Sequence, residues 1–369
     1  MAARPATRRP LTPPAPPAPL RPAIRDFSGG GTGFGIEWDI RPVYDFVFSL
    51  TADDAWDHDI ADEDRELVRT GRERVRAAVD AEAMSIVEDE CGIHVASFAV
   101  ERPEIRTAAA FVDAIEAASL PELYGSIVSD VTRHPSSRVL VDRAIAGDGA
   151  ALDELKASAA FDWKVGPLRL LEEPEASRRR IVELLRVWLE LFGPIESRIH
   201  AILDRDYGLR AGDRATLGPV DLIERTTGGV RWLPEAGVRR VILAPSYFSR
   251  PYNFLLAGDT WRYFGYPVAD DAVDVSDPLA APPNVVRLHR ALGDETRLRI
   301  LKLLSAKDLY LTEIAQQLDL SKPTIKHHLA LLRAAGLVTI TEAGTVIYYS
   351  LRRGGLDEAS TDLKRFLLG

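Results

Sequence analysis

The sequence predicts an α+β protein, mostly helical, in which an N-terminal mixed α/β body precedes a smaller C-terminal module of helices closed by a β-hairpin. Three observations carry that expectation. Helical periodicity dominates most of the chain, short β-rich runs separated by Gly and Pro interrupt it between residues 218 and 268, and the charge changes sign near residue 284. The 369 residues carry a net charge of −9, but from Asn284 onward thirteen Lys/Arg face nine Asp/Glu, leaving +4 there and −13 for the remainder. A basic module on an acidic body points to an anionic partner for one end only. No apolar run approaches the ~20 residues of a membrane span, so no membrane partner is expected. Cys91 is the sole cysteine, which excludes intrachain disulfides, Cys-rich zinc sites and iron–sulfur clusters and fits a cytoplasmic chain.

Along the chain, residues 1–34 read as a disordered tail. Eight prolines fall within the first 22 residues, and the Gly29–Gly35 cluster lacks the flanking strand and helix of a phosphate cradle. Residues 35–269 form the body. Ile36–Ile40 alternates like a strand; Glu66–Glu90, 107–119 and 150–159 read as helices. The strongest periodic stripe is Ile181, Leu184, Leu185, Trp188, Leu189, Phe192, Ile195, Ile199 and Ile202, kinked at Gly193-Pro194. It is read as core in preference to a dimer seam. Val230–Leu233, Val238–Ala244 and Trp261–Val268 are predicted strands. The nine aromatics around them (Trp232, Tyr247, Phe248, Tyr252, Phe254, Trp261, Tyr263, Phe264, Tyr266) are read as core filling, with a ligand pocket as the alternative. Residues 270–283 read as a linker.

From residue 284 the local signals are sharp. Val285–Leu292 is a short helix, and Asp294 or Thr296 caps a second over Arg297–Leu304. Leu311, Ile314, Ala315 and Leu318 mark a third. Asp319-Leu320 is a tight connection, and Ser321 caps a fourth helix that runs to Ala335 and stops at Gly336. Pro323 falls in its first turn, where no intrahelical N–H is needed. Ile325, His328, Leu329 and Leu332 share the inward face; Pro323, Thr324, Lys326, His327 and Ala330 share the outward one. Two helices joined by so short a turn form a helix-turn-helix, whose second helix can enter the major groove of double-stranded DNA. Leu337–Thr341 and Val346–Leu351 form a hairpin, or wing, ending in Arg352 and Arg353, which are placed to reach backbone phosphates. Leu356–Leu368 is the last helix.

These residues, from Ala291-Leu-Gly-Asp-Glu-Thr-Arg through Leu-Ser-Lys-Pro-Thr-Ile-Lys-His-His-Leu to Ala-Gly-Leu-Val338, closely resemble the ArsR family of bacterial winged-helix regulators over residues 284–369. The resemblance implies a homodimer that binds an inverted-repeat operator and represses transcription. By position it makes Ser321, Lys322, Thr324, Lys326 and His327 the DNA contacts, and helices 285–292 and 356–368 the candidate dimer interface. Metal-sensing members carry thiolates in the helix before the turn; here Tyr310 and Thr312 stand there, and the last helix has no histidine. No metal and no cofactor is therefore expected. The body is left as an effector-binding or dimerisation domain, its small-molecule effector unknown.

Other clusters read blandly. Cys91 with His94 is a small buried thiol near an imidazole. The acidic run Asp53, Asp54, Asp57, Asp59, Asp62, Glu63 and Asp64 lacks calcium-loop spacing and reads as a solvated helix start. His327 and His328 point about 100° apart on a helix and cannot share one ion. The chain contains no Gly-x-Ser-x-Gly elbow, His-Glu-x-x-His pair or P-loop, so no enzyme is expected. The alternatives are an enzyme acting on a small molecule in the body with an autoregulatory winged helix, and a winged helix that docks a protein partner.

Overall fold

The structure, a computed structural model, describes residues 24–26, 33–51, 59–88, 91–132, 137–158, 162–273, 281–343 and 346–368. Strands β1 (Ile24–Asp26) and β2 (Gly35–Trp38) lead into helix α1 (Val43–Thr51), buried on nearly every side. A helical stretch follows: α2 (Asp62–Ala78), α3 (Ala81–Glu88), α4 (Cys91–Val95), α5 (Ser97–Val100), α6 (Ala108–Ala117), α7 (Leu120–Thr132), α8 (Ser137–Ile145), α9 (Gly149–Ala157), α10 (Pro174–Phe192), α11 (Glu196–Leu209), α12 (Ala211–Thr216) and α13 (Pro219–Thr226). Then come β3 (Val230–Trp232), β4 (Arg240–Ser246), β5 (Phe254–Ala257) and β6 (Trp261–Pro267). The C-terminal part is α14 (Pro283–Leu292), α15 (Glu295–Leu304), β7 (Leu309–Tyr310), α16 (Leu311–Leu318), α17 (Lys322–Ala334), β8 (Val338–Ala343), β9 (Val346–Leu351) and α18 (Arg353–Leu368). The mostly helical α+β class expected from sequence is the one observed.

The body's sheet has the order β1-β2-β4-β6-β5, with β2, β4 and β6 parallel and the two edge strands antiparallel. Parallel strands need both faces covered, and the alternation along β4 and β6 shows how this is met. Ile242, Ala244 and Tyr263 join one core cluster with α1, α6, α7, α10 and α11. Val241, Leu243, Phe264 and Tyr266 join a second, which continues through Leu222 of α13 and Trp232 of β3 to Leu288, Ile300, Ile325 and Leu329 of the C-terminal helices. The helices cover one face of the sheet; the other belongs to a core shared with the C-terminal module.

The long stripe is intramolecular core. Ile181, Leu184, Leu185, Trp188, Phe192, Ile199 and Ile202 are all buried, and the Trp188 indole donates to the Phe46 carbonyl (3.1 Å). A 3-10 turn, Gly193–Ile195, separates α10 from α11 at the expected proline. Of the nine aromatics, all but Tyr252 and Phe254 are buried, as core filling requires.

Several expectations need correction. The helix expected over Glu66–Glu90 is two helices, α2 and α3, within the described residues to 88, because the Asp80 carboxylate accepts the Ala83 N–H (2.7 Å) and starts α3 afresh. Ile24–Asp26, assigned to the tail, pairs with Ile36–Trp38. Helices α12 and α13 were not foreseen. The acidic run is not wholly solvated: Asp64 is buried and takes the Tyr247 hydroxyl (2.7 Å) and the Arg198 guanidinium, and Asp59 pairs with Arg287 of α14. Residues 52–58 of that run, residues 27–32 with the first glycines of the cluster, and the side chain of Cys91 lie outside the described residues. Part of the linker is ordered: Asp270 accepts the Asn284 N–H (3.1 Å) and pairs with Arg250, and Ala272 takes Arg205 Nε (2.8 Å). Residues 274–280 lie outside the described residues.

Candidate nucleic-acid interface

The second sheet, of order β3-β8-β9-β7, backs a helix-turn-helix made by α16 and α17. The turn is set by backbone geometry. Asp319 adopts the left-handed conformation (φ 53°), one that Asp tolerates better than most residues. The Leu320 N–H then donates back to the Ala315 carbonyl (3.1 Å), closing the end of α16. Ser321 follows as the N-cap of α17. Its Oγ accepts the Thr324 N–H (3.3 Å) and shares a hydrogen bond with Thr324 Oγ1 (2.7 Å). Pro323 occupies the first turn without cost.

One face of α17 is locked down: Ile325, Leu329 and Leu332 are buried in the shared core. The opposite face presents Ser321, Lys322, Pro323, Thr324, Lys326 and His327, all exposed. Two cations and two hydroxyls therefore gather at the positive end of a helix dipole, and the acidic body does not cover them. Five of the seven residues singled out from sequence are brought together in this way.

The other two lie elsewhere. Arg352 follows the residue of β9 that pairs with Val338, at the end of the hairpin away from its turn. It donates to the Gly336 carbonyl (3.1 Å) and to Glu358 (2.8 Å), which leaves its side chain only 19% exposed. Arg353 is exposed at the start of α18 and donates to the Ser305 carbonyl (3.3 Å). The two arginines brace the base of the hairpin and are not part of the α17 surface; Arg353 keeps an exposed side chain there.

Sequence reasoning missed the groups that hold α17 from behind. Asp294 caps α15 by accepting the Arg297 N–H (2.9 Å), which lowers the pKa of its carboxyl. His328 Nδ1 lies 3.9 Å from that carboxylate. Burial lowers the imidazole's pKa more than Asp294 raises it, and the Arg297 and His327 charges lower it further. Arg297 ties down α14 by donating to the Ala291 (2.7 Å) and Arg290 (2.6 Å) carbonyls. The Asp294 cap was the one legible signal of this network; the contact with His328 is tertiary.

A helix-turn-helix backed by a β-hairpin wing, with a polar and basic recognition face, defines the class of winged helix-turn-helix proteins. Comparison with known sequences agrees. Residues 294–339 match the family model described as bacterial regulatory protein, arsR family. The transcriptional repressor SdpR of Bacillus subtilis is 36% identical over 80 residues, 22% of this chain and 89% of the relative. The HTH-type transcriptional regulator Rv2034 of Mycobacterium tuberculosis is 40% identical over 80 residues, 22% of this chain and 75% of the relative. Among solved structures, HlyU from Vibrio cholerae is 30% identical, with a TM-score of 0.19 and coverage of 23% of this chain and 94% of that one. The chain belongs to the arsR family of bacterial regulatory proteins. The family model covers none of the body.

No group of three or more His, Cys, Asp or Glu arranged to hold a metal occurs among the described residues. No helix among them is long and apolar enough to cross a membrane.

Proposed function

We propose that this protein is a DNA-binding transcriptional regulator, a repressor that acts as a homodimer on an inverted-repeat operator. One observation carries the reading: the outward face of α17 is polar, cationic, small at its N-terminal end and left open by the body. Ser321, Lys322, Thr324, Lys326 and His327 are its contacts, and Arg353, exposed at the base of the hairpin, is a further one. Arg352 acts indirectly by bracing β9 against α18. In this reading the body serves effector binding or dimerisation.

Homodimer formation is supported by α18, which exposes Leu356, Phe366, Leu367 and Leu368, the last two at 65% and 82%. Exposed large apolar side chains of this kind favour burial against a second copy. Buried carboxyls at the carboxyl end of the parallel strands are held by their own neighbours: Asp45 accepts bonds from Ser246 Oγ (2.7 Å) and the N–H groups of Tyr247 (3.2 Å) and Phe248 (2.7 Å), Asp206 accepts the Tyr266 hydroxyl (2.9 Å) and the Ala269 N–H (2.8 Å), and Asp39 pairs with Arg41.

The test is selection of bound fragments from the source organism's genomic DNA by the intact protein, followed by titration of the selected duplex and a scrambled one. A regulator discriminates by roughly 10³-fold or more. Equal binding of both duplexes sinks the reading.

A further inference from the structure

The two parts of the chain are joined by more than the segment around residue 275. Strand β3, which leaves the body after α13, pairs parallel with the wing strand β8 in the register Val230↔Ile340, Arg231↔Thr341, Trp232↔Glu342. The Ile340 N–H donates to the Gly229 carbonyl (3.0 Å). The approach is so close that a Cβ on Gly229 would stand 3.1 Å from Thr339 Cγ2, at a φ of +124° that side chains rarely adopt. Trp232 anchors the strand on the body, its ring edge-on to Phe34 at 4.8 Å between centroids. A second grip lies on α13, where Arg225 donates to Glu358 of α18 (3.2 Å), the carboxylate that also holds Arg352. Positive-φ glycines flank the strand, Gly228 and Gly229 before it and Gly237 after it.

We propose that the α13–β3 unit is the control joint of the protein. With β3 seated on β8, the wing is held in place beside α17. A movement of the body that lifts β3 frees the edge of β8, loosens the wing and weakens DNA binding. The proposal rests on the DNA-binding reading above and adds the route by which the body reaches the operator. Its physical basis is that strand addition couples the seating of β3, a three-residue strand at the edge of its sheet flanked by positive-φ glycines, directly to β8.

The test uses the full-length chain. In Gly229→Val, hydrogen exchange at the Ile340 amide should accelerate at least tenfold, exchange at Leu243 in β4 should stay as in wild type, and operator affinity should fall at least tenfold. As a second probe, Arg231→Cys with Thr341→Cys in a Cys91→Ser background places a disulfide across the in-register pair. In urea below the unfolding transition, the oxidised form should bind the operator at least fivefold more tightly than the reduced form. Faster Ile340 exchange with unchanged affinity, or equal binding by the oxidised and reduced forms, overturns the joint and leaves the DNA-binding reading standing. Failure of the wild type to discriminate any duplex overturns both.

Discussion

Replacing Lys326 by Ala tests the interface most directly, because its two possible contributions leave different signatures. Lys326 lies one turn beyond Lys322 on the exposed face of α17. If each protomer of a homodimer neutralises one phosphate through Lys326, the variant loses two contacts. The slope of log affinity against log salt then becomes shallower by about 1.8, at 0.9 per phosphate. Over a fourfold change in salt, from 50 to 200 mM, that slope corresponds to about twelvefold. Wild type should therefore lose affinity about twelvefold more steeply than the variant, on operator and scrambled duplex alike, because phosphate contacts carry no sequence information. His327→Ala should do the reverse, leaving the slope unchanged and reducing discrimination between the duplexes by about 1–3 kcal/mol, as loss of a base-edge contact does. Fluorescence anisotropy with both duplexes at several salt concentrations reads all of these quantities. If neither variant alters slope, affinity or discrimination, the outward face of α17 does not touch DNA.

Three further outcomes are expected. Ser321→Ala removes the cap of α17 and should destabilise the protein by about 1 kcal/mol in urea unfolding, with a smaller loss for Ser321→Thr, which keeps the oxygen. Leu367→Glu places a charge among the exposed apolar side chains of α18 and should shift sedimentation from dimer toward monomer; an unchanged dimer would locate the interface elsewhere. Burial raises the Asp45 carboxyl to about 6, against the hydrogen bonds from Phe248, Ser246 and Tyr247, which lower it. A carboxyl raised in this way stabilises the fold fully below its unfolded value of 3.8, and that contribution is lost as pH rises through about 6. The stability of Asp45→Asn relative to wild type should therefore rise by about 2 kcal/mol between pH 4 and 7; a difference that is flat with pH would contradict it.

What the sequence made legible was local. The Ser321 cap, the first-turn Pro323, the Gly336 stop and the three-and-four spacing of the buried leucines all act within a few residues of where they stand, so α16, α17 and the exposed positions of Ser321, Lys322, Thr324, Lys326 and His327 could be read directly. The partner of Arg352 was not legible, because Glu358 lies six residues onward in a helix that begins earlier than expected: the sequence suggested Leu356, whereas α18 starts at Arg353. The partner of β3 was beyond reach for a stronger reason. Val230-Arg231-Trp232 alternates in the same way whether its neighbour is a body strand or a strand more than a hundred residues away, and period-2 patterning records faces, not partners.

That topological fact bears on how the body can influence the operator at all. Two domains joined only by a tether exchange little more than proximity, and an event in one leaves the other's geometry untouched. Here the second face of a parallel sheet is covered by a core running from Val241 and Phe264 through Trp232 to Ile300 and Leu329, and close-packed cores transmit displacement because they cannot absorb it. Arg287 adds a charged tie: its guanidinium is buried, which lowers its pKa to about 10, and it faces Asp59 in the segment that leads into α2. A cation held there has little solvation to fall back on, so separating the two parts would leave it and Asp59 without their closest counter-charge. The winged helix is thus part of the body's own packing, and a change in the orientation of the sheet must also change the position of α17.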